Sequence, residues 1–306
     1  MLLDPDLCVN CVTARCDLRR RRRSARIKSV AKKGKTDEAI PSRGSPDRQF
    51  VTALARGLEI LRCFSARRPE LGTTEISLLT GLPQPTVWRL CHTLIKTGYL
   101  APSTANDKLR IGVGVLSLGY EAIGTIDIGD LAQREMQIVA DDFHAAVSLA
   151  IPDRVDMVIV KRAQSNSRLL LNLHVGSRLP IGASTTGWAY LAAIPESQRA
   201  QLVQQLDAHY GKREWRAKWR KASVAIKSYQ KTGYILSGGS YDPEINSIAI
   251  PIQPEDGSQF FALSCGAPAA VVPVSTFQVE IAPRLIRVGE IIRSALSHSA
   301  SAGDMR

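Results

Sequence analysis

Two short apolar helical stripes, parted by Thr80-Gly81-Leu82-Pro83, constrain this chain more than any other feature. Before the turn, Thr73 is the expected cap of a helix whose positive end suits Glu75, with Ile76 and Leu79 facing inward. Gly81 ends that helix in the left-handed conformation. After the turn, Gln84 is the expected cap, and Pro85 falls in the first turn, where its missing N–H costs nothing. Val87, Leu90, Cys91, Leu94 and Ile95 then recur at i, i+3, i+4, i+7 and i+8, while Trp88, Arg89, His92 and Lys96 share the other face. Upstream, Phe50, Leu54, Leu58 and Leu61 form a third stripe, which Glu70-Leu71-Gly72 brings to an end. Downstream, Tyr99-Leu100 and Leu109-Arg110-Ile111 read as strands around a Ser103–Lys108 turn. Three helices and a hairpin make a winged helix-turn-helix over residues 47–112.

Such a turn lets the last helix enter a major groove. Gln84 matches adenine, Arg89 guanine or phosphate, and Thr86 phosphate. Trp88 and His92 add apolar and hydrogen-bonding contact, Lys96 extends the same face, and Arg110 in the wing suits the neighbouring backbone. Double-stranded DNA is the partner this surface implies.

Charge agrees, once divided along the chain. The net +12 over 306 residues splits into 12 − 5 = +7 for residues 1–46, 9 − 5 = +4 for 47–112 and 19 − 18 = +1 for 113–306. A basic front on a near-neutral body points to a polyanion for the front alone. Residues 1–46 lack apolar periodicity and read as a disordered basic tail adding salt-sensitive, sequence-independent affinity. Cys8 and Cys11 form a C-x-x-C with Cys16 nearby, but zinc wants four ligands, so no metal or other cofactor is assigned. The 44% hydrophobic content excludes a wholly disordered chain. No run approaches the roughly 20 apolar residues of a membrane span. The start carries acid early and arginines late, the reverse of a secretory signal. A soluble, cytoplasmic protein with no membrane partner is expected.

From residue 129 onward, helical and strand patterns alternate. Val147–Ile151, Val155–Val160, Leu169–Val175, Tyr234–Leu236, Ile245–Ile252 and Phe260–Cys265 read as strands, Thr185–Ala193 and Ser197–Leu206 as helices. A closing helix carries Ile281, Leu285, Val288 and Ile292 and starts near, or kinks at, Pro283. This is an α+β arrangement. Within it, Gly182-Ala183-Ser184-Thr185-Thr186-Gly187 is a small-residue turn running into a helix, whose free N–H groups suit a carboxylate.

The segments "LARGLEILRCF", "GTTEISLLTGLPQPTVWRLCHTLIKTGYL" and "LRIGVGVLSLG" resemble the N-terminal domain of IclR-type bacterial transcriptional regulators. "GSRLPIGASTTGWAYLAAIP", "KTGYILSGGSYDPEINSIAIPI" and "FFALSCGAP" resemble that family's effector domain, in order and spacing. The likeness spans roughly residues 47–297. It implies a homodimer or homotetramer, repressing or activating, in which a linker helix at 113–128 (with Leu116, Tyr120 and Ile123 at its seam) joins the DNA head to a GAF-like effector domain at 129–306. It also implies that backbone groups at Thr185 and Thr186 hold a small organic acid, with Ser237, Ser247 and Ser264 lining the cavity; Leu171 and Leu179 are placed to supply its apolar wall. Three departures stand out. Leu109 replaces a Tyr, Trp188 stands where Lys is common, and Ser237-Gly238-Gly239-Ser240-Tyr241 replaces a more acidic stretch. The last departure suggests a different acid from the glyoxylate type, an aromatic one among the choices.

Two other readings remain open on the sequence. A protein coating nucleic acid without sequence preference could act through the Arg-rich tail. An enzyme could use Ser264-Cys265 as nucleophile with His174 as base, although no G-x-S-x-G elbow, phosphate loop or HExxH accompanies them.

Overall fold

A computed structural model describes residues 49–65, 68–103, 107–166, 173–254, 257 and 259–303. The tail read at 1–46, its three cysteines, Leu171 and most of the strand expected at Leu169–Val175 lie outside the described residues. The chain divides into two units, with the boundary between Leu58 and Glu59.

Helix α1 (Thr52–Arg62) keeps only Leu61 of the expected stripe against the core. Phe50, Leu54 and Leu58 are exposed; the wholly buried residue is Ile60, with Leu61 packed beside it. Strand β1 (Glu70–Leu71) follows where only a break was expected. The N-cap of helix α2 (Thr73–Thr80) is Gly72 rather than Thr73, because the Gly72 N–H donates to Glu75 Oε2 at 2.7 Å and so fixes the first turn. That bond, ahead of burial and the Lys108 charge, leaves the Glu75 carboxyl below its usual range. Ile76 is buried as expected, but Leu79 is exposed. Gly81 closes the helix at φ 67°, a left-handed conformation that favours glycine.

Helix α3 (Gln84–Lys96) is capped at Pro83, not Gln84. Its inner residues Val87 and Cys91 join Ile60, Leu71, Ile76, Leu100 and Leu109 in a small core. Full burial of an Ile or Leu is worth about 1.5–3 kcal/mol, so these few side chains hold the head together. Strands β2 (Leu100–Pro102) and β3 (Leu109–Ile111) complete an antiparallel sheet ordered β1-β3-β2. This is a winged helix-turn-helix.

Helix α4 (Gly114–Gly124) buries none of its residues, and α5 (Gly129–Asp142) buries Ala132, Met136, Val139 and Ala140. Next come strands β4 (Ala146–Asp153), β5 (Asp156–Gln164) and β6 (Arg178–Pro180), then helices α6 (Thr185–Ala193), α7 (Glu196–Tyr210) and α8 (Lys212–Thr232). Strands β7 (Ile235–Gly238), β8 (Ile245–Ile252) and β9 (Phe261–Pro268) finish a six-stranded antiparallel sheet ordered β6-β5-β4-β9-β8-β7. The third strand of this sheet in sequence is Arg178–Pro180, later than expected; His174 and Val175 are not strand. A short helix α9 (Val274–Thr276) and a π turn at Phe277–Ile281 lead into α10 (Ala282–Gly303), with Pro283 in its first turn.

The sheet separates two apolar cores. One face packs against α5 and the closing helix through residues such as Val147, Leu263, Phe277 and Leu285. The other packs against α6, α7 and α8 through Met157, Ile159, Trp188 and Trp215. Together with the winged head this is the expected α+β architecture. Among the described residues no helix is long and apolar enough to cross a membrane, and no group of three His, Cys, Asp or Glu could hold a metal.

Candidate functional site

Two surfaces concentrate the residues singled out above. On α3, Trp88, Arg89, His92 and Lys96 all lie exposed along one face. Trp88 is 60% exposed and its ring stacks on His92, with centroids 5.6 Å apart and planes at 23°. An i,i+4 pair stacks in this way because the two side chains lie one turn apart. This places an apolar plate in solvent on the same helix face as Arg89 and Lys96. Thr86 is half-buried. Gln84 is exposed but engaged: its amide donates to Thr74 Oγ1 at 3.0 Å, tying α3 to α2. Arg110 lies on the central strand of the small sheet, opposite Glu70 and Ala101, rather than at the hairpin tip. Between α3 and the hairpin runs a groove flanked by Trp88, His92, Ser103 and Lys108. Sequence reading passed over Lys108, which is next to the turn and 3.5 Å from Glu75.

The second surface is a cavity between the first turn of α6 and the large sheet, with about 560 Å³ of free space counting its solvent-connected part. Thr185, Thr186, Ser247, Ser264 and Leu179 all line it. Ser184 caps α6 by accepting from the Gly187 N–H at 3.1 Å. As the first two helical residues, Thr185 and Thr186 have no intrahelical acceptor for their N–H groups. Gly187 allows the close seat of this turn, since a Cβ there would lie 2.3 Å from Ile181 Cα. Thr185 Oγ1 is 2.5 Å from Ser247 Oγ and 3.1 Å from Ser240 Oγ, a cluster of three hydroxyls.

Ser237 does not line this cavity. It sits on β7, the edge strand, one strand spacing outside Ser247, and borders a separate cleft with Arg220 and Lys221. Leu171 falls outside the described residues.

The charged residue among the cavity's described lining was missed in the sequence. Arg162, on β5, lines it and donates from Nη1 to Ser148 Oγ at 2.7 Å and from Nε to Gln164 Oε1 at 3.2 Å. Burial lowers the guanidinium's pKa from its ordinary value, though an arginine stays charged. Its orientation comes from a β-bulge. Leu149 pairs with Lys161 and Ala150 with Ile159, so Val160 is the extra residue. Beyond a bulge the alternation of faces shifts by one, which brings Arg162 to the cavity side. Among the described lining residues there is no Asp or Glu.

The enzyme reading finds no support in this geometry. Ser264 and Cys265 are neighbours on β9 and point to opposite faces, Ser264 to the cavity and Cys265 into the far core. Complete burial pushes the Cys265 thiol up to about 12, the reverse of an activated nucleophile. His174 is exposed and does not line the cavity.

Comparison with known proteins agrees on both halves. Residues 53–103 match the IclR helix-turn-helix domain, and residues 120–292 match the bacterial transcriptional regulator IclR C-terminal domain. The HTH-type transcriptional regulator TsaQ1/TsaQ2 of Comamonas testosteroni is 28% identical over 249 residues, covering 81% of this chain and 89% of its own. The crystal structure of an IclR family transcriptional regulator from Brucella abortus superposes with a TM-score of 0.74 at 37% identity, covering 81% of this chain and 94% of the other. An IclR homolog from Microbacterium hydrocarbonoxydans, complexed with 4-hydroxybenzoate, superposes with a TM-score of 0.61 at 20% identity over 80% and 99% of the two chains, a likeness of fold.

Proposed function

The chain belongs to the IclR family of bacterial transcriptional regulators, and from that premise we propose that its operator binding is governed by a small organic acid held in the cavity beneath α6. The observation that carries this reading is the cavity's lining: a guanidinium, a helix N-terminus and a set of hydroxyls, with no carboxylate among the described residues. Such a lining favours an anion. The 4-hydroxybenzoate held by the Microbacterium protein is an acid of suitable kind, which supports an aromatic carboxylate here as well.

In this reading the outer face of α3 reads bases. Arg89 and Gln84 supply the hydrogen bonds, Trp88 and His92 the apolar contact, and Thr86, Lys96 and Arg110 the backbone contacts. The protein works as a homo-oligomer through α4, whose Leu116 and Tyr120 are 73% and 77% exposed on a helix that buries nothing. A dimer sets two α3 helices into major grooves on a near-palindromic site, in the cytoplasm where the chromosome is. Acid binding shifts the population between two arrangements of the heads.

The test begins by selecting the DNA that the purified protein binds, then repeats a gel-shift titration with a panel of carboxylates that includes 4-hydroxybenzoate. At least one acid should change operator affinity several-fold. Arg89→Ala should weaken operator binding about five- to 150-fold, as expected for loss of a contact worth about 1–3 kcal/mol, with an unchanged melting temperature. Equal affinity for random and selected DNA at every salt concentration would instead favour non-specific coating. A panel without effect would overturn the acid-sensing reading.

A further inference from the structure

The strand register sets a distance across the cavity. Read across the sheet, one row is Ala249–Ser264–Ser148–Arg162 and the next is Ser247–Gly266–Ala146–Gln164. Where the cavity needs room, the second row carries only Gly266 and Ala146. The polar groups stand at opposite corners: Arg162, bonded over Ser148, on one side, and Ser247 with Thr185 on the other. From Ser148 on β4 to Ser247 on β8 is two strand spacings, about 10 Å, plus one two-residue step along the strands. At right angles these combine to about 12 Å, and subtracting a hydrogen bond of about 2.8 Å at each end leaves a ligand whose polar oxygens are roughly 6–7 Å apart. That is the span of para substituents on one benzene ring. Leu179, Leu173 and Ile245 supply apolar wall for such a ring.

Resting on the acid-sensing reading above, we propose that the effector is a two-ended acid of the size of a para-substituted benzoate. One carboxylate lies against the Arg162 guanidinium, and a second oxygen group lies at the first turn of α6 against the Thr185 and Ser247 hydroxyls. The Arg162 end goes beyond the small acid expected at Thr185 and Thr186 alone, and it makes Arg162 the residue that sets specificity. A planar fork of donors in a partly dry site is well matched to a carboxylate.

Calorimetric titration of the full-length protein with benzene-1,4-dicarboxylate and with benzoate tests this. The two-ended probe should bind at least tenfold more tightly than benzoate. Arg162→Gln should lower the dicarboxylate affinity at least tenfold and close the gap between the two probes, and Arg162→Lys should recover part of the loss, which a misfolded protein would not. Thr185→Val should weaken the dicarboxylate several-fold while benzoate changes no more than twofold. If benzoate matches the dicarboxylate, or Arg162→Gln binds it as the native protein does, the inference falls and the acid-sensing reading stands. The same holds if neither probe binds but another acid of the panel shifts operator affinity. If no acid does, both fall together.

Discussion

Gly187 illustrates how much a single position can decide. A methyl group there would meet Ile181 at 2.3 Å from Cα and 2.5 Å from the carbonyl oxygen, main-chain atoms that cannot turn aside. Gly187→Ala therefore forces the first turn of α6 outward. The expected loss is about 1–3 kcal/mol, a melting-point drop of roughly 2–10 °C by differential scanning fluorimetry; acid binding should weaken with it. A change under one degree would show that α6 has slack the contacts do not suggest. The small-residue run Gly182–Gly187 was legible because its composition is its geometry: only small residues let backbone approach backbone so closely. Arg162 was not legible. Counting alternate residues from Met157 and Ile159 sends it to the far face, and only the extra residue at Val160 turns it back. A bulge is a matter of pairing between strands, and no local pattern announces it.

Among the elements, the helix-turn-helix was legible because capping, turn and stripe signals coincide within a few residues. Helix α8 was passed over. Its buried or half-buried positions Trp215, Trp219, Ala222, Ile226 and Tyr229 keep a helical spacing, but basic residues interleave them; long stems such as that of Lys218, 4.9 Å above the Tyr210 ring, cover aromatic faces while their charges stay in water. The short strand β6 has a different source of order. Arg178 joins it to the β4–β5 hairpin, with 2.7 Å to Asp153 Oδ2 and 2.9 Å to Asp156 Oδ2. Burial pushes the Asp153 carboxyl up, yet the hydrogen bond and charge of Arg178, helped by Arg62 and Arg154, leave it below its ordinary 3.8. A depressed carboxyl stabilises the fold above that value and loses its contribution as pH falls through the folded value. Asp153→Asn should thus lower the melting temperature by about 1–3 °C at pH 7, as expected for a partly exposed pair. The two melting curves should converge below pH 3.8. A gap that persists in acid would mean that the pair contributes nothing through ionisation.

For the molecule as a whole, the near-neutral count over residues 113–306 concealed a segregation. Helix α8 holds 8 Lys/Arg and 1 Glu, or +7, so the remainder of that stretch carries 1 − 7 = −6. In the proposed function assembly runs elsewhere, through α4. Replacing Leu116 and Tyr120 together by Glu should convert the oligomer to a monomer in light scattering coupled to size exclusion; an unchanged mass would move the interface off this helix. The hydroxyl trio of Thr185, Ser240 and Ser247 carries a consequence for what such an assembly can sense. Each hydroxyl can swing its hydrogen toward either neighbour, so the trio offers an incoming group a donor or an acceptor with no heavy atom displaced. With the proposed effector in place, the sensor would be strict about charge at one pole and indifferent at the other to which side brings the proton. Its vocabulary would then be a short family of related compounds, answered by one protein without any change of sequence.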